Sequence, residues 1–132
     1  MRIHYSRLVT AILLACLFTL GCNTRKYDGK WEGTTSQGKG ISFTVNGGVV
    51  TTSRLEFELQ CERPGFCPAG GSVEQDLGAK ISGSSFSASL ERADVSGKFD
   101  SDTSASGELK AEQTSAQCGK CSASATWTAR KL

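Results

Sequence analysis

The sequence has very few of the residues that most often carry catalysis and metal binding. It contains one histidine, His4, and one methionine, Met1, so the chain beyond residue 4 has neither. This absence excludes Ser-His-Asp and Cys-His catalysis, imidazole bases and His-containing metal sites from any later domain. It also excludes Met-rich metal binding. We therefore expect a protein that is not an enzyme, with no catalytic residue, no metal and no separate cofactor.

Proline, helical periodicity and net charge are also scarce. The prolines are Pro64 and Pro68, and nowhere do apolar residues recur at helical spacing for three turns. Of the 15 basic residues, Arg2 and Arg7 precede residue 22, whereas all 13 acidic residues follow it, so the rest of the chain is neutral. A neutral, mixed surface gives no electrostatic basis for nucleic-acid binding, and we expect no nucleic-acid partner.

The first residues carry a targeting pattern. Residues 1–7 include two arginines and no acid, and residues 8–20 are almost wholly apolar. A positive segment followed by a short apolar one is typical of a secretory signal peptide. The apolar run is shorter than the roughly 20 residues that a membrane-spanning helix needs. We therefore predict a helical signal peptide over residues 1–21.

The end of this segment resembles the lipobox of bacterial lipoprotein precursors. Thr19-Leu20-Gly21-Cys22 places a small residue before a cysteine, although the family pattern prefers Leu where Thr19 stands. Leu13-Leu14-Ala15-Cys16 fits the four residues better, but cleavage there would shorten the apolar segment to about eight residues. The resemblance implies diacylglycerol and a fatty acyl group on Cys22. The alternative, plain secretion, would leave Cys22 as a free thiol.

The same resemblance implies where the protein lies. Residues 22–28 become the lipidated N-terminus and tether, residues 29–132 form one domain, and the partner of the anchor is a lipid bilayer. Asn23 is not the Asp that resembles an inner-membrane retention signal. We expect a cell-envelope protein on the outer membrane, facing the periplasm or the cell surface.

Four cysteines remain beyond the anchor: Cys61, Cys67, Cys118 and Cys121. An even number in an exported domain indicates two disulfides, and three pairings are possible. Because a Cys-x-x-Cys bridge is strained, pairs that join Cys61 and Cys67 to Cys118 and Cys121 are favoured. The alternative is a four-cysteine zinc site, since Cys118-Gly119-Lys120-Cys121 resembles a zinc knuckle. The other spacing is wider than usual, and export oxidises thiols.

Alternating apolar and polar residues dominate the domain, which is typical of strands with one solvated face. The pattern predicts an all-β fold, a single antiparallel β-sandwich or small up-and-down barrel of about seven or eight strands linked by disulfides. Asn46-Gly47-Gly48 predicts a hairpin turn. The predicted strands span residues 30–35, 40–45, 49–61 (the longest), 86–90, 95–99, 105–111 and 121–129.

Two features of this layout allow more than one interpretation. Trp31 in the first strand and Trp127 in the last predict either that the terminal strands pair or that each ring fills its own end of the core. Residues 61–71 form one long irregular loop. The loop is either a binding loop that presents Phe66 and Arg63 or a connector with Phe66 turned inward.

Two further resemblances reach most of the domain. Stretches such as Gly29-Lys-Trp-Glu-Gly33, Ile41-Ser-Phe-Thr-Val45 and Ala125-Thr-Trp-Thr-Ala129 resemble a loose set of uncharacterised bacterial exported β-domains, rich in Gly, Ser and Thr. That resemblance implies a fold and no activity. Gly29-Lys30-Trp31 is similar to the Gly-x-Trp that opens lipocalins and avidins, the calycins, and implies a barrel with a ligand cavity.

Three functions are compatible with these observations. The first is a non-enzymatic binding or structural module of the envelope with a protein or glycan partner. The second is an inhibitor of a periplasmic enzyme, protease or lysozyme, through the Cys61–Cys67 loop. The third is a small-ligand carrier with a deep cavity beside Trp31 and Trp127. Glu56 and Glu58, beside Arg54, are expected to form a charge-balanced outer face.

Overall fold

A computed structural model of the protein describes residues 25–63, 65, 67 and 70–132. In these residues the fold is all-β, as the alternation predicts, and no helix in them is long and apolar enough to cross a membrane. The strands are β1 Gly29–Thr35, β2 Gly40–Asn46, β3 Val49–Glu58, β4 Gln60–Cys61, β5 Gly70–Lys80, β6 Ser85–Ser89, β7 Ala93–Phe99, β8 Ser104–Ser115 and β9 Gly119–Lys131.

The strands form an antiparallel, nearly closed barrel of up-and-down order. Eight of them follow one another as β5-β3-β2-β1-β9-β8-β7-β6, and the two-residue β4 adds to β9. The terminal strands β1 and β9 pair, with Gly33 opposite Ala129, which confirms the first interpretation of the two tryptophans. No ladder joins β5 to β6 in the described residues. This gap, which we call the seam, is the place where the barrel does not close.

The core is built by the inward side chains of these strands. β9 alternates strictly, with Cys121, Ala123, Ala125, Trp127 and Ala129 buried and the residues between them exposed. Small inward residues leave room for large ones from neighbouring strands. Five aromatic rings meet in one half of the barrel: Trp31, Phe43, Phe86, Phe99 and Trp127.

The N-terminus of β1 lies at what we call the aromatic end. Tyr27 is buried there and stacks on Phe99 with ring centroids 4.1 Å apart. The indole Nε1 of Trp31 donates to the Tyr27 carbonyl oxygen at 2.9 Å. Asp28 accepts hydrogen bonds from the amides of Gly47 and Gly48 in the predicted hairpin turn. The last two residues of the predicted tether therefore pack on the barrel.

The opposite end holds the cysteines, and we call it the disulfide end. The disulfides are Cys61–Cys121 and Cys67–Cys118, so the pairing between the two cysteine pairs is confirmed and the four thiols are not free for zinc. The amide of Arg63 also donates to the Cys118 carbonyl oxygen at 3.2 Å. After β3 the chain thus crosses the barrel mouth and is fixed to the turn between β8 and β9.

The prediction for residues 49–61 is partly wrong. That segment is interrupted at Leu59, and β9 with 13 residues is longer than β3 with 10. The Gln37 side chain accepts from the Glu58 amide and donates to the Glu58 carbonyl oxygen. Because a side chain takes the hydrogen bonds of this residue, the strand ends there and the chain turns toward β9.

The predicted loop over residues 61–71 extends too far, because β5 already begins at Gly70. β5 itself has no counterpart among the predicted strands. The inward positions of β5 alternate only imperfectly, because Gly71 has no side chain and Gln75 is polar and exposed. Near its end Leu77 and Gly78 lie opposite the single residue Thr51, a β-bulge. Gly78 has a φ of 55°, which glycine adopts without strain.

The outer face of the described barrel is polar. Leu132 is its exposed large apolar side chain. Arg54 pairs with Glu56 at 3.1 Å and Lys39 with Glu58 at 2.8 Å, so the charge-balanced outer face is confirmed. The described outer wall therefore offers no apolar patch of the kind that docks partners.

Candidate functional site

Unequal strand lengths open a notch at the disulfide end. β8 and β9 have 12 and 13 residues, whereas β6 and β7 have five and seven. β7 begins at Ala93, which pairs with Ala111. The last residues of β8 therefore extend past β7 and pair with β9 alone. Across the notch lies the beginning of β5, which pairs with β3 alone.

The notch leads into a pocket of about 170 Å³. Its lining is mostly apolar, and it combines the ends of several strands with both disulfides. The ring of Phe57 lies across β5 at Gly71, where a Cβ atom would approach the ring to 2.8 Å. Glycine at this position thus lets an aromatic ring form one wall. The lining residues are Phe57, Leu59, Cys67, Gly70, Gly71, Ser72, Val73, Arg92, Ala111, Glu112, Gln113, Ser115, Cys118 and Cys121.

Partly exposed apolar side chains follow the seam from this pocket. Five apolar residues pack against the core without being fully covered: Leu59, Val73, Leu77, Ile81 and Ala88. They lie after β3, on β5, in the turn after it and on β6. On a described surface that is otherwise polar, this strip is where apolar area meets solvent. A ligand that covered it would gain free energy from the hydrophobic effect.

The mouth of the pocket carries one basic side chain, Arg92, that forms no ion pair within the described residues. Glu112 pairs with Lys120 at 3.2 Å. No acidic side chain of the described residues lies within ion-pair distance of Arg92, which lines the same pocket and is exposed. The backbone of Arg92 is fixed, because its carbonyl oxygen accepts from the Glu112 amide at 3.0 Å. An anionic group at the pocket mouth would therefore meet a cation whose backbone is held in place.

Some of the predicted site residues lie among the residues that the structure describes, and others do not. Cys22, the predicted lipid attachment site, and Phe66 of the predicted binding loop lie outside the described residues. Arg63 is exposed and its guanidinium donates to the Ala116 carbonyl oxygen at 3.3 Å. This contact ties the loop to the turn between β8 and β9, beside the disulfides.

The two tryptophans occupy the region where a carrier would need its deep cavity. Trp31 and Trp127 are 0% and 2% exposed, and both rings contact Phe43. The Trp127 ring lies against Gly97 and Gly107, whose missing side chains make room for it. Aromatic rings therefore fill the barrel beside the tryptophans, and the pocket lies at the other end. Within the described ranges, no cluster of three or more His, Cys, Asp or Glu side chains could hold a metal ion.

Sequence reasoning missed the residues that form the notch. Arg92 lies between the predicted strands 86–90 and 95–99, and Val73 lies in β5, which the alternation does not predict. The available signal was the difference in length between the predicted strands, since 86–90 and 95–99 are visibly shorter than their neighbours. Short strands beside long ones leave unpaired edges, and such edges occur at binding sites.

Comparison with known proteins finds no family model, no curated protein and no solved structure that matches the chain. The class of protein is thus defined by the fold and the site alone. It is a small, disulfide-linked, nearly closed antiparallel β-barrel with an apolar pocket at one end.

Proposed function

We propose that this protein is a lipid-anchored binding module of the bacterial cell envelope, without enzymatic activity, and that it binds its ligand at the disulfide end. The observation that carries the proposal is the apolar pocket of about 170 Å³ beside an unbalanced Arg92. Binding sites are concave and mostly apolar, with a few polar groups that orient the ligand. The pocket has this composition.

The position of the N-terminus supports the same orientation. The chain enters the barrel at the aromatic end through Tyr27, and up-and-down strands place the pocket at the opposite end. An anchor at Cys22, implied by the lipobox, would therefore hold the aromatic end near the bilayer. The pocket would face away from the membrane, where ligands arrive by diffusion.

Metabolic labelling tests the anchor. Cells that produce the protein are grown with labelled palmitate, and incorporation is compared between the natural chain, Cys22→Ser and Cys16→Ser. We expect label in the natural chain and in Cys16→Ser but none in Cys22→Ser. Label that persists in Cys22→Ser and vanishes in Cys16→Ser would move the attachment site, and label in none would exclude lipidation.

A fluorescent dye tests the binding face. The probe is 8-anilinonaphthalene-1-sulfonate, because one of its aromatic rings can enter the pocket while its sulfonate pairs with Arg92. We expect enhanced fluorescence that is lost in Val73→Trp, which fills the pocket, and weakened in Arg92→Gln. Arg130→Gln, a matched change on the outer face of β9, should leave it unchanged. Binding unaffected by the two pocket variants would exclude this face.

A second function has one specific observation in its favour. Both disulfides and the two Arg63 hydrogen bonds fix Cys61, Arg63 and Cys67 on the barrel, and a loop fixed at both ends is what an inhibitor inserts into a target. We expect such an inhibitor to slow a periplasmic protease or lysozyme, and Arg63→Ala with Phe66→Ala to abolish the effect. Absence of inhibition by the natural protein would exclude this function.

A further inference from the structure

The notch is bordered by two strand edges that have no partner on its side among the described residues. β5 pairs with β3 along Gly70–Val73, and β8 pairs with β9 along Gln113–Ser115. No backbone hydrogen bond of the described residues crosses from one of these segments to the other. In an antiparallel strand, alternate amide and carbonyl groups point to each side. Each segment therefore presents unpaired donors and acceptors toward the same pocket.

We propose that an extended peptide of a partner protein binds in the notch by adding as a strand along β5 or β8. One apolar side chain of the peptide enters the pocket, and a carboxylate, most simply its C-terminus, pairs with Arg92. This inference rests on the proposed function, because it takes the disulfide end to be the binding face. It goes further by naming the ligand class.

The chemistry of the site favours a peptide over a simple apolar ligand. Only a polypeptide satisfies the unpaired main-chain groups of a strand edge while filling alternate side-chain pockets. An engineered apolar cavity of about 150 Å³ holds one benzene molecule. The pocket, at about 170 Å³, therefore suits one aromatic or branched aliphatic side chain.

Charge determines which peptide fits. Within the described residues Arg92 has no ionic partner, whereas the nearby Glu112 is neutralised by Lys120. The guanidinium of Arg92 is therefore available to pair with an anionic group of the ligand. An Arg guanidinium binds a carboxylate through two parallel hydrogen bonds, which adds orientation to attraction.

The edge of β5 is protected against pairing with β5 of a second copy of this chain. Antiparallel pairing of two β5 strands centred on Gln75 would bring together Glu74 and Asp76 of both copies, all exposed. The bulge at Leu77 and Gly78 also interrupts a straight edge. Charges and bulges are the devices that prevent edge-to-edge association. The occupant is therefore inferred to be a different polypeptide.

The test is selection from a display library of random octapeptides with free C-termini, using the oxidised, full-length mature protein in detergent. We expect enrichment of peptides that end in Phe, Leu, Ile or Val. Binding of a selected peptide should weaken about tenfold in Arg92→Gln, as expected for a charged hydrogen bond, and vanish in Val73→Trp. Arg130→Gln should bind like the natural protein.

Two further measurements separate strand addition from side-chain binding. Amidation of the peptide C-terminus should weaken binding as much as Arg92→Gln, with no additional loss when both changes are combined. N-methylation of alternate peptide amides should abolish binding. On binding, hydrogen exchange should slow in Gly71–Val73 or in Gln113–Ser115, and the slowing should be absent in the turn at Gly47.

The outcomes distinguish the two proposals. One outcome is that the dye binds in the pocket while no peptide is enriched more strongly on the natural protein than on Val73→Trp. In that case the peptide inference is wrong and the proposed binding module stands. Peptides that tolerate N-methylation of every amide would also contradict strand addition. If neither dye nor peptide binds, the proposed binding face itself is wrong.

Discussion

The two ends of the barrel are built by different means. At the aromatic end Tyr27 stacks on Phe99, Trp31 meets Phe99 edge to face, and a hydrogen bond joins Trp31 to Tyr27. At the disulfide end Phe57 is accompanied mostly by smaller residues, and covalent bonds hold the chain in place. Packing an end with rings leaves no room for a ligand. Cross-linking an end fixes its shape while leaving space inside.

The difference between the two ends also explains why two disulfides are present in a domain of this size. A small domain buries a smaller share of its surface than a large one and is correspondingly marginal. Here the large side chains are concentrated in one half, so the other half depends on constraint of the unfolded chain. Variants at the two ends test this division of roles, from the largest expected effect to the smallest.

Deletion of a ring at the aromatic end should lower the free energy of unfolding far more than deletion of a side chain at the pocket. We expect Trp127→Ala to lower the free energy of unfolding by about 3–5 kcal/mol. Leu59→Ala, at a partly exposed position, should cost about 1 kcal/mol. Urea denaturation monitors both. Equal losses would mean that the two ends are packed alike.

Removal of the Cys67–Cys118 disulfide should loosen the disulfide end only. We expect the double variant Cys67→Ala and Cys118→Ala to lose about 2–3 kcal/mol, because the remaining Cys61–Cys121 bridge already shortens the loop to be closed. Dye binding in the pocket should fall, whereas the near-ultraviolet circular dichroism of the buried tryptophans should stay. Loss of that signal without heating would show that the aromatic end depends on the disulfides.

A methyl group should be tolerated at one end and not at the other. A Cβ atom on Gly107 would meet the Trp127 ring and the Ser96 carbonyl oxygen, whereas a Cβ atom on Gly70 meets no atom within 4 Å. We expect Gly107→Ala to cost about 1–3 kcal/mol, as overpacking does. Gly70→Ala should be near neutral. Thermal unfolding measures the stability of the two variants. A Gly107→Ala variant as stable as the natural protein would contradict the tight packing at Trp127.

The two tryptophans should differ when each indole is replaced by a phenyl ring, since both variants lose the same ring volume but only one loses a hydrogen bond. Trp31 Nε1 donates to the Tyr27 carbonyl oxygen, whereas Trp127 Nε1 is buried without a partner among the described residues. Loss of a made hydrogen bond leaves an unpaired acceptor, and loss of an unmade one does not. We therefore expect Trp31→Phe to cost about 1 kcal/mol more than Trp127→Phe in urea denaturation. The reverse order would indicate an unseen partner for Trp127.

The smallest effect concerns an exposed ion pair beside the disulfide end. A hydrogen bond to Glu58, with the attraction of its charge, raises the pKa of Lys39 above its ordinary value. Its stabilising contribution is therefore complete below the unfolded-state pKa and is lost as the pH rises through the folded-state pKa. We expect Glu58→Gln to lower the Lys39 pKa in an NMR titration with little change in melting temperature. An unchanged pKa would mean that the pair does not form in solution.

Much of the fold followed from alternation in the sequence. The strands at β1, β2, β6, β7, β8 and β9 were predicted near their observed bounds, because each has a regular apolar face. β5 was not, because an edge strand is stabilised on one side only and tolerates Gly71, Gln75 and a bulge. Local patterns are weakest where the partner strand, rather than the sequence, fixes the structure.

The candidate site was predictable in its parts but not in its place. The four cysteines indicated covalent links between the middle and the end of the chain, and the structure selects Cys61–Cys121 and Cys67–Cys118 from the two possible cross-pairings. Arg92 carried no signal of its own in a two-residue turn. It gained a role because β6 and β7 end early and leave it at the mouth of the pocket.

The sequence by itself determined the general character of this protein: an all-β fold with solvated outer faces in the described residues, four cysteines that pair, and no histidine beyond residue 4. Each of these depends on residue identity or on the two-residue repeat of a strand. The tertiary structure alone decided where the barrel stays open. Closure depends on which strands meet and how long each is, and the pairing of β1 with β9 moved the open seam to β5 and β6. Contacts between residues far apart in the sequence determine the position of the seam, and a local pattern of residues does not predict such contacts.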